Sequence, residues 1–168
     1  MGFPFEYFRA PDAAEALRLL DDPEDPGVPA APTMRGADAV EAKGMDSTVT
    51  VGQLLAFILE VPWDVDLMSS ELVWPQSPPA SEREAEELPD DSPWNTGVTV
   101  EVLGDAARDG LAGADEARFP ELAERWAGIE EFGRDTDPGE LVEIITELVT
   151  LARRAKQNGE HLFTWCCV

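Results

Sequence analysis

The most regular pattern of apolar and polar positions lies between Asp137 and Val168. Leu141, Ile144, Ile145, Leu148, Leu151, Ala152 and Ala155 recur at steps of three and four, with Val142 and Val149 widening the stripe. That spacing puts one apolar face on an α-helix. Asp137-Pro138-Gly139-Glu140 supplies a start: a capping carboxylate, a proline whose missing donor costs nothing at the first helical position, and a glutamate placed to reach back. Arg153, Arg154 and Lys156 collect where the helix dipole favours cations, and Asn158-Gly159 supplies the stop. The residues that follow, Glu160 to Val168, read as a strand. Leu162, Cys166 and Val168 face one way, and Phe163, Trp165 and Cys167 the other. A strand apolar on both sides belongs inside a sheet, so this one is expected to be central.

Elsewhere the pattern alternates between the two periods. Phe3, Phe5, Tyr7 and Phe8 predict a short aromatic strand with Glu6 and Arg9 turned outward, followed by a helix capped by Asp12 and running to Leu20. Residues 21–32, rich in proline and aspartate, read as an exposed, mobile loop. Ala39 to Lys43 forms a brief strand. Ser47, Thr48 or Thr50 caps a helix with Val51, Leu54, Leu55, Phe57, Ile58 and Leu59, apolar nearly all round and therefore buried. Gly97 to Val102 alternates cleanly as an interior strand. Asp105 caps a short helix to Leu111, and another runs from Phe119-Pro120 to Glu131 with Leu122, Trp126 and Ile129 inward. Between Pro62 and Pro93 no period is sustained. Positions 75–93 form an acidic, proline-rich loop with a short helix near Glu82 to Leu88. The expected fold is a single α+β domain over residues 1–168. Its small mixed or antiparallel sheet carries four to five helices.

The helix ending in Arg153-Arg154, then Asn158-Gly159-Glu160-His161 and an apolar strand, resembles the C-terminus of the YfbM-like (DUF1877) bacterial family of unknown function. The opening aromatic strand and the helical stretch Leu54 to Leu59 fall at matching places. Ala123-Glu124-Arg125-Trp126 is similar to an actinobacterial branch. The resemblance implies an α+β domain and supplies no reaction.

Charge changes the picture most. Thirty-five acidic residues against 12 basic ones give a formal net charge of −23 over 168 residues. A field of that sign repels nucleic acid and anionic membranes, so neither is expected as a partner. It suits a basic protein. No apolar run is long enough for a membrane span, and no basic-then-apolar leader opens the sequence, so the expected location is cytoplasmic. Adjacent Cys166 and Cys167 fit a reducing compartment, and their side chains point to opposite faces of a strand, which opposes a bond between them.

Catalytic sets are scarce. Nucleotide-binding glycine loops, GxSxG, HExxH and paired CxxC motifs are all missing, so no cofactor and no metal is expected. His161, the only histidine, sits about 17 Å along the strand from Cys166 at ordinary rise, too far for a direct pair. Catalytic carboxylate pairs cannot be singled out among so many acids. Trp63, Trp74 and Trp94 flank the acidic loop, and with Asp90 and Asp91 they are the candidate binding residues; tryptophan also serves to anchor such a loop. The expected function is non-enzymatic protein binding, such as an immunity-type inhibitor that covers a basic toxin. A small hydrolase or transferase with a carboxylate site, or an acidic housekeeping domain, is the alternative.

Overall fold

The computed structural model describes residues 2–168. Five strands form one antiparallel sheet: β1 (Phe5–Ala10), β2 (Ala39–Glu41), β3 (Ser70–Trp74), β4 (Val98–Leu103) and β5 (His161–Cys167). Their order is β2-β1-β5-β4-β3, so β5 is central. It pairs with β1 from Phe5–Cys166 to Ala10–His161, and with β4 from Val98–Cys167 to Val102–Phe163.

Alternation along the strands sends side chains into two cores. Tyr7, Leu162 and Leu103 point into the larger one. It is closed by α2 (Gly52–Leu59), α4 (Asp105–Ala112), α5 (Phe119–Ala127) and α6 (Pro138–Gln157). Phe8, Val100, Phe163 and Trp165 point into the smaller one, under α1 (Ala13–Leu20). Trp165 and Leu148 are both buried, as a core helix feeding an inner strand requires. Helix α6 starts on Asp137, which accepts from the Gly139 amide, and its chain turns at Gly159, where φ is +64°. Trp126 lies entirely within the larger core and donates its indole N–H to the Thr50 carbonyl at 2.8 Å. Among the described residues, no buried side-chain nitrogen or oxygen lacks a partner.

Several local expectations are corrected. β1 begins at Phe5 and runs on to Ala10, leaving Phe3 exposed. Glu6 does not face water. It is buried, because a 3₁₀ turn at Pro32–Arg35 docks over it, with the Thr33 amide and hydroxyl both donating to its carboxylate at 2.8 Å. The loop 21–32 is tethered where it crosses the smaller core, since the Trp165 indole N–H donates to the Pro29 carbonyl. Asp46, rather than a hydroxyl residue, caps the turn Ser47–Val51 that leads into α2, accepting from the Val49 and Thr50 amides. Ser47 and Thr50 are turned inward. β3 lies inside the stretch without a sequence period. Only a five-residue helix, α3 (Glu82–Glu86), stands in the acidic loop, which brings the α-helices to six.

Candidate functional site

The candidate binding residues divide between the two sides of the sheet. Trp74 packs into the smaller core beside Val28. Trp94 donates its indole N–H to the Gln76 carbonyl, which joins the two ends of the acidic loop. Both serve as anchors. Asp90 and Asp91 are exposed on the same loop. Trp63 lies on the α2 side, its ring over Gly52 and its indole N–H donating to the Thr48 carbonyl. It remains 39% exposed, so of the three tryptophans it alone presents a broad surface to water.

Trp63 has company. Of the eight large hydrophobic side chains exposed in the described residues, five fall between 59 and 72: Leu59, Val61, Trp63, Val65 and Leu72. Glu60, Asp64, Asp66 and Glu71 alternate with them and are also exposed. The sheet register explains the inclusion of Leu72. It stands opposite Glu101, which stands opposite Thr164 and then Tyr7, so Leu72 points to the same side as the larger core. Met68 is buried there and Leu67 packs against it, which pins the segment to the body while its other side chains stay outside. β3 is the edge strand beneath, with a bulge between Leu72 and Trp74.

The basic side chains do little to balance this surface. Among the described residues every arginine except Arg134, together with Lys156, has a carboxylate within 4.0 Å. Arg153 is drawn further inward, donating to the carbonyls of Ala112 and Ala114. Asp38 sits between Arg9 and Arg154, at 2.6 Å from each. Partial burial pushes its carboxyl up, but the hydrogen bonds and charges of the two guanidinium groups outweigh that and hold it below the usual range. A group lowered in the folded state contributes stability above its unfolded pKa and loses it as pH falls through the folded value. Asp38→Asn is therefore expected to cost stability near neutrality. Its deficit should shrink toward acid, and urea midpoints of the two proteins measured at about pH 7 and about pH 3 check this.

On the far side of β3 a hollow of about 510 Å³ opens between Ser69, Ser70, Glu71, Val102, Leu103, Gly104, Asp105 and His161. Asp105 was expected to cap α4. That position belongs to Gly104, and the Asp105 carboxylate instead meets Nδ1 of His161 at 2.6 Å. Arg108 braces the pair, with Nη1 at 3.2 Å from Asp105 Oδ1 and donating to the Glu160 carbonyl at 2.7 Å. The two cysteines are free. Burial, then the neighbouring Cys167, Glu101 and Asp46, push the Cys166 thiol up to about 11, which keeps it protonated and unreactive. Among the described residues no three His, Cys, Asp or Glu side chains are grouped to hold a metal ion, and no helix is long and apolar enough to cross a membrane.

What the fold and surface define is a class: an antiparallel α+β domain with an acidic, apolar-studded edge. Compared with family models, curated proteins and solved structures, the chain finds no match in any of the three.

Proposed function

We propose that the protein is a cytoplasmic binding module that docks a basic protein on the segment 59–72, in the manner of an immunity-type inhibitor covering a basic toxin. The observation that carries this reading is the clustering of Leu59, Val61, Trp63, Val65 and Leu72 in water, interleaved with Glu60, Asp64 and Asp66. Exposed apolar side chains concentrated in one short segment suit an interaction surface. The carboxylates around them have few internal cations to pair with, so a partner bringing Lys or Arg around apolar anchors matches both components. Trp63 is the anchor of choice, because tryptophan in such a setting contributes heavily to contact energy. Asp90 and Asp91 stand exposed on the acidic loop that follows β3 and add to the overall negative field. The kinship with the YfbM-like family is proposed on the helix, glycine and inner strand of α6 and β5, and it adds no reaction.

The test is capture from the producing cell followed by titration with the purified partner. A basic protein should be retained and then released by 0.5–1 M salt, as charge-steered contacts are. Trp63→Ala should weaken the purified pair by about 2 kcal/mol, some thirtyfold in Kd. Asp64→Asn with Asp66→Asn should slow association and flatten its salt dependence. Retention of the same partner at full affinity by both variants would remove this surface from consideration.

A further inference from the structure

The hollow on the other side of β3 carries chemistry that the docking surface does not use. β3 and β4 pair Ser70 with Leu103, and the Gly104 amide donates to the Ser69 carbonyl at 2.9 Å, so Ser69 stands opposite Gly104. Val102 is opposite Phe163, and two residues on, the same register sets Gly104 opposite His161, which is itself opposite Ala10. Ser69, Gly104 and His161 therefore form one row across three strands, with side chains on the α1 side. Gly104 leaves the middle of that row vacant, and the Ser69 hydroxyl leans into the place its side chain would take. An alanine there would push the hydroxyl out. At the other end of the row Asp105 accepts from Nδ1–H of His161, which leaves the lone pair on Nε2. Arg108 fixes Asp105 from behind.

We propose that Ser69, His161 and Asp105 form a nucleophile–base–orienter set that hydrolyses small acyl esters. The chain order and the fold are incidental, because such sets are defined by roles and geometry. As the Ser69 oxygen bonds to the acyl carbon, its proton passes to His161 Nε2. The bond to the alcohol oxygen breaks, and the leaving alcohol takes that proton. Water then adds to the acyl-serine with the same proton traffic, releasing the acid and restoring Ser69. Val102 gives the hollow an apolar wall, while Glu71 at the rim disfavours anions, so the substrate class is a neutral or cationic ester.

The experiment uses the full chain and p-nitrophenyl acetate, a neutral activated ester. The expected result is an acetyl group on Ser69 by peptide mass spectrometry. Nitrophenolate release should fall at least tenfold in Ser69→Ala, and again in His161→Gln. Gly104→Ala should slow release without removing Ser69, and Asp105→Asn should alter the pH profile by loosening the imidazole. Equal release by Ser69→Ala and the unaltered chain would overturn the proposal, since it would reveal ordinary surface histidine or lysine reactivity. Acetyl groups confined to Lys43 or Lys156 would overturn it equally. Ser69 is exposed, so deletion of its hydroxyl leaves the fold intact and the result decisive even if a His161 variant fails to fold.

Discussion

A chain cut after Gly159 is expected to show no cooperative unfolding at all. β5 is the only strand shared by both halves of the sheet. Without it β2-β1 and β4-β3 are separate two-stranded ribbons, which are marginal in water. The deletion also removes Leu162, Phe163 and Trp165 from the two cores, all nearly or fully buried. Each such side chain is worth about 1.5–3 kcal/mol by burial alone, and the loss of two strand pairings comes on top. A domain of this kind holds only about 5–15 kcal/mol in total. Far-UV circular dichroism and urea titration of the shortened protein check this. A sigmoidal transition near that of the full chain would show that the remaining strands close by another route.

The second large effect falls on Trp126→Ala, expected to destabilise by about 3–5 kcal/mol. The indole is inaccessible to solvent, sits edge-on to Phe132 with ring centroids 5.0 Å apart, and satisfies the carbonyl of Thr50. Alanine removes most of that volume and leaves the carbonyl without its donor in the interior, a further cost of about 1–3 kcal/mol where water does not enter. Trp126→Phe separates the two contributions, because it keeps an aromatic ring and loses only the donor and part of the bulk. Urea midpoints of the three proteins measure the difference. A Phe variant as damaged as the Ala variant would mean that the hydrogen bond, not the packing, dominates.

How much of this could be read in advance depends on the element. α6 and β5 are legible, because each carries a cap or a stop and an apolar period, and the structure buries the faces that the spacing singles out, except that β5 ends at Cys167 and leaves Val168 in water. β3 was not. Ser70, Glu71 and Leu72 are all exposed, a bulge interrupts the alternation, and only Val73 is buried, so an edge strand left no period in the sequence. The apolar run marks the helix near Leu54 but not its cap. Three hydroxyl residues competed for the role, and Asp46 one position earlier took it with a carboxylate that reaches two amides. Strand alternation alone turns Glu6 toward water, because nothing local in the sequence shows that Thr33, far along the chain, covers it. The same holds for His161 and Asp105. They meet only through the register of β4 against β5, and that register is set by the turn of the whole sheet. Trp63, Trp74 and Trp94 are alike as residues, and only their tertiary surroundings separate the exposed one from the two anchors.

The pairing of the arginines with the protein's own carboxylates has one more effect. With ten of its twelve Lys and Arg side chains set against its own carboxylates, the molecule meets the solvent almost as a polyanion and must gather a cloud of small positive ions around itself. A cationic partner arriving at the 59–72 edge displaces part of that cloud. Much of the drive toward complex formation then comes from the freedom gained by released sodium or potassium rather than from heat.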